Sequence, residues 1–405
     1  MNNVLFLTGL FPDEIRSELI KNSKANTQFA ADAFQWSFVE GLTNYYDDLH
    51  LLNFPFVGSY PTLCKTPLIR SFDFGKDKAF YGRNIGYFNL IAIKNISIYQ
   101  QAKNDIRKWA KQTTGKKAIL IYSAFLPFLK AAIAAKEEFS DLKVYLIMAD
   151  LPQFMGGPNN ALYRAFKKMT NNGLQESFRQ IDGFVLVSKF MRELLPIGNK
   201  PWTVVEGIYN PKSEPDFQAG SVSDKKIILY TGTLARRYGI LGLLAAFKLI
   251  EDKNYQLVIC GDGDTKEDIN LAAEKDKRII YKGSVDRSEV LKIQRQASLL
   301  VNPRTPEGEF TKFSFPSKTM EYLASGVPAL LYKLPGIPDE YYAYCYSLED
   351  VSAVAMATKI TEILNLDSAV LAEKGRKARQ FVLDNKNPKT QCEKVAKLIE
   401  NDNQD

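Results

Sequence analysis

The chain has one histidine, His50, in 405 residues, and only four cysteines, Cys64, Cys260, Cys345 and Cys392, which lie far apart. A single histidine nearly excludes a histidine-built metal site and makes a histidine general base depend on that one residue. The cysteines have neither metal-ligand nor redox spacing, so they read as reduced thiols of a cytosolic protein. No apolar run approaches the ~18 residues of a membrane-spanning helix. The N-terminal "MNNVLFLTGLFPDE" has no basic flank and too short an apolar run for a secretory signal; it reads as a strand entering a loop. No unit of ~20–50 residues recurs, which excludes solenoids and propellers. Aromatic residues make up 12% of the chain but lack the spacing of a base-stacking platform, so no nucleic-acid partner is expected.

What is present is an ordinary folded composition, 45% hydrophobic and 24% charged. The length exceeds one core, and domains of ~100–200 residues predict two or three. The net charge is +7, and residues 1–210 hold 25 Lys/Arg against 18 Asp/Glu, so the first half carries the excess. A basic half suits nucleic acid, an anionic membrane or a phosphorylated substrate, and composition does not choose among them.

Apolar runs alternate with helical stretches throughout. "VLFLTGL", "LHLLNF", "AILIYS", "KVYLIMAD" and "GFVLVS" read as buried parallel strands, separated by helices such as 26–45 and 126–139. A loop-rich linker, "GIYNPKSEPDFQAGSVSDKK", precedes a second series: "KIILYTG", "QLVICGDG", "RIIYKGS", "ASLLVNP" and "VPALLYK". The pattern predicts an α/β protein with two Rossmann-like, doubly wound domains facing a central cleft. Their expected ranges are 1–212 and 213–385, with an amphipathic helix over 386–405 packing back onto the first. Open α/β sheets bind ligands outside the carboxyl ends of their strands, so the chemistry is sought there.

Three strand ends of the second domain stand out. In "YTGTLARRYGI", Gly232 permits close backbone approach, Thr233 follows it, and Arg236 and Arg237 either fork onto phosphate oxygens or are solvated surface arginines. "CGDGD", with Gly261, resembles half of a dinucleotide loop, but Glu267 and Asp268 stand where a third glycine is sought, so it also reads as a tight turn. "FTKFSFPSKTMEYLASGVPAL" reads as a short helix opening at Pro316 and stopping at Gly326. Its unpaired N–H groups and positive dipole end favour an anion, with Lys312, Phe313, Ser314, Phe315, Ser317 and Lys318 around it. Glu321, one turn in, either accepts bonds from ribose hydroxyls or forms an i,i+3 pair with Lys318.

In their order and spacing, "YTGTLARRYGI", "LVICGDGD", "IIYKGSV", "ASLLVNPR" and "FPSKTMEYLASGVPAL" resemble the nucleotide-sugar-binding domain of family 4 glycosyltransferases, which have the GT-B fold. "KANTQFAADAFQWSFVEGL" and "VYLIMADLP" resemble the bacterial members that build capsule, exopolysaccharide or O-antigen. The resemblance implies a retaining, metal-independent hexosyltransferase that needs no cofactor and whose nucleotide-sugar donor is a substrate, UDP-linked before GDP-linked. It places Glu321 on the donor ribose, as the second glutamate of a Glu-x7-Glu pair. The first position is Phe313, and Glu307 and Glu309 are off register, so the backbone amides of 312–315 are expected to substitute. Arg237, with Arg236 second, is implied on the donor phosphates.

Many relatives carry a histidine where this chain has Ala149 and Asp150; Asp150 either orients the acceptor or acts as a base, or caps the loop. Gly9, in "TGLFPDE", and Asn26 and Gln28 are the remaining acceptor-side candidates. The stretch "NNALYRAFKKMTNNGLQESFRQ" sets Leu162, Phe166 and Met169 at helical spacing with Arg164, Lys167 and Lys168 on other faces. It reads as a helix lying on an anionic bilayer or as a core-packed helix with a solvated basic face. The expected acceptor is a lipid-linked saccharide, and the expected location is cytoplasmic, peripheral on the inner face of the plasma membrane. Two other readings remain at this point: a sugar-nucleotide 2-epimerase of the same architecture, and a catalytically silent sugar-nucleotide-binding partner of another transferase.

Overall fold

A strand covered on both faces must be apolar along its length, and all ten apolar runs quoted above are strands. The computed structural model describes residues 3–24, 28–75, 79–91, 93–151, 161–213 and 225–401, without the side chains of 161–169. Asn26 therefore lies outside the described residues, as do the side chains of Leu162, Phe166 and Met169 in the helix Ala161–Gln180.

The chain divides into two compact units. The first contains Asn3–Thr8 (β1), Leu49–Asn53 (β2), Leu68–Ile69 (β3), Phe72–Phe74 (β4), Phe80–Asn84 (β5), Tyr87–Phe88 (β6), Lys117–Tyr122 (β7), Leu142–Met148 (β8), Gly183–Leu186 (β9) and Trp202–Val204 (β10). Eight of these form one sheet in the order β10-β9-β8-β7-β1-β2-β5-β4, parallel except for β4. The strands β3 and β6 pair separately as an antiparallel ribbon. The order reverses between β1 and β7, which is where a doubly wound sheet opens a crevice at its carboxyl edge.

The second unit contains Lys226–Thr231 (β11), Tyr255–Cys260 (β12), Ile279–Gly283 (β13), Leu299–Asn302 (β14), Ala329–Tyr332 (β15) and Tyr346–Leu348 (β16). Its six-stranded sheet is parallel throughout, in the order β13-β12-β11-β14-β15-β16. The reversal falls between β11 and β14. The helices Ile240–Lys248 and Ala353–Leu364 pack together, and so do Ser317–Ala324 and Ser368–Asn385.

The chain crosses between units at Ile208–Tyr209 and returns at Asn387–Pro388, rather than after 212 and 385. Tyr209 belongs to the second unit because its ring enters that core and its N–H donates to the Lys386 carbonyl at 2.8 Å. The terminal helix Pro388–Asn401 belongs to the first unit. Its Cys392, Val395 and Ile399 are buried in the same cluster as Phe38 and Leu42 of the helix Phe29–Leu42. Gly41 makes this approach possible: a Cβ there would lie 2.3 Å from both Cys392 Sγ and the Pro388 carbonyl. All four cysteines are free and buried.

Substituting Gly41→Val is expected to overpack this contact and cost about 1–3 kcal/mol. Thermal denaturation should show the loss, while calorimetric binding at the second unit should be unchanged.

Candidate functional site

The carboxyl end of β11 is held by two buried polar side chains. The Tyr322 hydroxyl accepts from the Thr231 N–H at 2.8 Å and donates to the Thr231 carbonyl at 3.1 Å. Gln294, fully buried in the helix Arg287–Gln296, donates its Nε2 to Thr231 Oγ1 at 3.0 Å and to Glu321 Oε1 at 2.5 Å. Lys318 Nζ donates to the same Glu321 oxygen at 2.7 Å. Burial alone raises a carboxyl pKa, but the Lys318 charge and the two hydrogen bonds outweigh it and hold Glu321 below its ordinary value. Glu321 is therefore ionised, with Oε2 left for a further donor.

The helix carrying Glu321 runs Ser317–Ala324, so Pro316 is its N-cap rather than its first residue. Gly326 adopts φ +79° just past its end, as the stop signal requires. Ahead of it, the short 3-10 turn Glu309–Thr311 uses two of the amides expected to face a ligand. Lys312 N–H donates to the Glu309 carbonyl and Phe313 N–H to that of Phe310. Phe313 itself is buried, so only the Ser314 and Phe315 amides remain without a backbone partner.

Gly261 also serves the fold rather than a ligand. Its N–H donates to the Gly283 carbonyl, and a Cβ would sit 1.8 Å from the Gly232 carbonyl oxygen. The strand-end loops of β11 and β12 close onto each other there. At Gly232 a Cβ would lie 3.2 Å from the Tyr230 hydroxyl and 3.8 Å from Lys318 Cε, so side chains and not backbone line its open face. Thr233 is exposed, and its carbonyl accepts from the Tyr230 hydroxyl.

The two arginines after β11 differ. Arg236 pairs with Asp268 at 2.9 Å, and its N–H donates to Asp264. Arg237 pairs with no carboxylate among the described residues; its guanidinium lies over the rings of Tyr238 and Phe310. Beside it is Arg304, at the end of β14, stacked 4.6 Å from the Phe310 centroid and donating to Ser314 Oγ at 2.8 Å. Burial lowers the pKa of Arg304, and the charge of Arg237 lowers it further. Arginine nevertheless stays charged at neutral pH, so two cations face the switch point without a counter-ion between them.

Arg237 also lines a cavity of about 400 Å3 with Glu307, Thr305, Phe310, Met356 and Tyr332. Tyr332 is 2% exposed and its hydroxyl has no partner among the described residues. Burial, with Asp350 and Glu307 nearby, pushes its pKa up to about 12.

In the first unit the loop after β1 is pinned from three directions. Gly9 N–H donates to Gln35 Oε1 at 2.7 Å, Leu10 N–H to Asn53 Oδ1 at 2.7 Å, and Phe11 N–H to Asp32 Oδ1 at 2.8 Å. Asp32 is buried and also accepts from Arg16 at 2.8 Å. The space that Gly9 leaves is filled by the Phe56 ring, so neither its N–H nor its open face awaits a ligand. Gln28 is an exposed N-cap residue whose side chain makes no cap bond. Asp150 follows β8 with its surface open to solvent, yet enough protein surrounds it for burial to raise its carboxyl above the ordinary value. Its charge acts on the Tyr122 hydroxyl at the end of β7. The next residue, Ser123, is the one non-glycine with positive φ, +68°, among the described residues. Such strain at a switch point often marks a functional edge. His50 is one residue into β2, at the opposite end of the strand from this edge.

Gln294, Arg304, Asp32, Gln35 and Asn53 escaped the sequence reading. Arg304 carried a usable signal, since it stands in "VNPR" directly after a strand. The buried amides and Asp32 carried none, because a polar residue on a helix, or at the end of a strand as Asn53 is, reads as solvated unless its neighbours in space are known.

Residues 212–380 match the model of the family described as Glycosyl transferases group 1. A curated relative from Bacillus subtilis, "Putative teichuronic acid biosynthesis glycosyltransferase TuaC", is 26% identical over 259 residues, covering 62% of this chain and 59% of TuaC. The match thus spans less than two thirds of that relative. Among solved structures, HepE of Anabaena, in complex with UDP, superposes with a TM-score of 0.64 at 12% identity, over 98% of this chain and 100% of HepE. A sucrose-phosphate synthase from Thermosynechococcus elongatus gives 0.62 at 16%, over 99% of each chain. The fold is that of the GT-B glycosyltransferases, with two Rossmann-like domains in one chain. Within it, residues 212–380 form a glycosyl transferases group 1 domain.

Because the Tyr332 hydroxyl has no partner, Tyr332→Phe is expected to leave thermal stability unchanged or raise it by up to ~1 kcal/mol. A melting temperature well below that of the natural chain would show a partner for this hydroxyl.

Proposed function

We propose that the protein is a retaining, metal-independent glycosyltransferase of family 4. It moves a sugar from a nucleotide diphosphate, UDP before GDP, to a hydroxyl of a lipid-linked saccharide in surface polysaccharide assembly at the cytoplasmic face of the membrane. The observation that carries this reading is Glu321, an ionised, largely buried carboxylate fixed by Lys318 and Gln294, in the same unit as two arginines, Arg237 and Arg304, that pair with no carboxylate among the described residues. A ribose offers two hydroxyls to the first and a diphosphate offers its oxygens to the second. Similar proteins support the same direction: TuaC is described as a putative teichuronic acid biosynthesis glycosyltransferase, and HepE, a structural neighbour, is complexed with UDP.

In this reading Glu321 holds the ribose. Arg237, Arg304 and the amides of Ser314 and Phe315 stabilise charge developing on the pyrophosphate as the sugar–oxygen bond breaks. The acceptor hydroxyl bonds to the same face of the anomeric carbon, and its proton passes to the departing phosphate. Asp150 orients that hydroxyl. The cavity of Glu307 and Tyr332 takes the glycosyl group, so Tyr332→Phe should keep affinity for the free nucleotide while turnover of the sugar nucleotide falls.

Calorimetric titration with UDP, GDP, ADP and CMP, with and without EDTA, tests the donor site. One diphosphate is expected to bind, insensitive to EDTA. Glu321→Ala should weaken it about 10–100-fold, corresponding to lost charge-assisted bonds of ~1.5–3 kcal/mol. Arg237→Ala should weaken the diphosphate more than the nucleoside. Unaltered binding and turnover in both variants would remove the site from these residues, and binding without turnover under any acceptor would favour the silent partner. An epimerised product would favour the epimerase.

Asp150 gives a pH test. Its pKa is raised, so an Asp150 that must be ionised makes the rate rise with pH through a midpoint above the ordinary 3.8. Asp150→Asn should lower kcat and remove that acidic limb. A limb that persists unchanged in the variant belongs to another group.

A further inference from the structure

Sixteen large hydrophobic residues are exposed among the described residues, and eight of them fall between Leu63 and Ile96, seven besides Tyr81. The others are scattered, as single exposed apolar residues ordinarily are. These seven are brought together by the fold. Leu68 of β3 and Phe88 of β6 are direct cross-strand partners, 54% and 53% exposed. Leu90 follows β6 and bridges to Tyr60, and Ile91 is 64% exposed. Ile93 and Ile96, three residues apart, open the helix Lys94–Gln112 on one face. Leu63 lies in the adjoining loop, its Cβ against Gly58.

The frame beneath them is fixed. Asn89 is fully buried and ties three segments: its side chain donates to the carbonyls of Gly58 at 2.9 Å and Thr66 at 3.0 Å, and its N–H to that of Pro67 at 2.8 Å. The apolar side chains are thus held outward by a hydrogen-bonded backbone. Seven half-exposed large side chains amount to an area on the order of several hundred Å2, the size at which a contiguous patch marks an interaction surface.

The sequence around the patch is basic. Between Asp48 and Asp105 there are seven Lys/Arg and two Asp/Glu, and Lys65 and Arg70 are exposed beside the patch. The apolar set is aliphatic apart from Phe88, whereas protein interfaces concentrate their energy in Trp, Tyr and Arg and under-use leucine. Aliphatic side chains flanked by the exposed Lys65 and Arg70 suit acyl chains beneath anionic headgroups. The patch also grows from the loops that follow β2 and β5, at the carboxyl edge of the first sheet, where Phe56 N–H donates to the Gly9 carbonyl.

We propose that this face, built from the β3–β6 ribbon, the 60–67 loop and the first turn of the helix at Lys94, docks the protein on an anionic lipid bilayer. The proposal deepens, and in its choice of a lipid partner rests on, the reading of a lipid-linked acceptor. It assigns membrane contact to this ribbon and not to the helix Ala161–Gln180.

The full chain is tested by co-sedimentation with vesicles of phosphatidylcholine alone and with about a third phosphatidylglycerol, at low and high salt. Binding is expected to the anionic vesicles, weakening as salt rises. The double variant Ile91→Ser/Ile96→Ser should reduce it about tenfold, and Lys65→Glu/Arg70→Glu should reduce it at least as much and flatten its salt dependence. Both variants change exposed residues, so they should melt as the natural chain does and titrate with nucleotide normally. That titration separates failure of the docking surface from failure of the donor site. No vesicle binding by the natural chain, or equal binding by both variants, would overturn the proposal. So would self-association that the serine variant abolishes in the absence of lipid, which would make the face a contact between copies.

Discussion

A carboxylate taken out of water must be paired, and the pairing of Glu321 organises the second unit's edge. Lys318 comes from its own helix and Gln294 from the preceding one, so a single oxygen joins two elements that cross the sheet on separate passes. Gln294 extends the link to Thr231, and Tyr322 grips the same strand end through its hydroxyl. Removing any one member leaves a buried polar group without its partner, which costs more than the bond itself contributed. The end of β11, and with it the loop that carries the arginines, is therefore fixed by an electrostatic requirement as much as by apolar packing.

Around that anchor the charges are arranged by absence as well as presence. Arg236 has Asp268 to neutralise it, whereas Arg237 and Arg304 are stacked on Phe310 with hydroxyl partners only. Aromatic faces support a guanidinium without neutralising it. The field at the switch point stays positive, and the Ser314 and Phe315 amides add to it.

The fold was legible because buried parallel strands must be continuously apolar. What could not be read were strands whose pairing is decided by tertiary context. "FYGRN" becomes β5 although Gly82, Arg83 and Asn84 break any apolar run, because it pairs with both β2 and β4. In the second unit, positions with one dominant physical pattern were legible: Glu321 on a helix that stops at Gly326, and two arginines in the turn after a strand. Glycines were not. Gly9 and Gly261 look alike as ligand-approach positions, but Phe56 fills the space at one and the Gly232 carbonyl the space at the other. The amides of Lys312 and Phe313 were misread for a related reason. A 3-10 turn of three residues has no periodicity to announce it, yet it consumes the N–H groups that follow.

The terminal helix Pro388–Asn401 packs into the first unit, with Cys392 seated over Gly41. During synthesis this helix leaves the ribosome after the whole of the second unit. The first unit, begun before the second, must therefore wait with the apolar face of Phe38 and Leu42 uncovered until the second unit has been made and can fold. The order of completion is the reverse of the order of synthesis, and an interrupted chain loses the finished first unit before it loses the second.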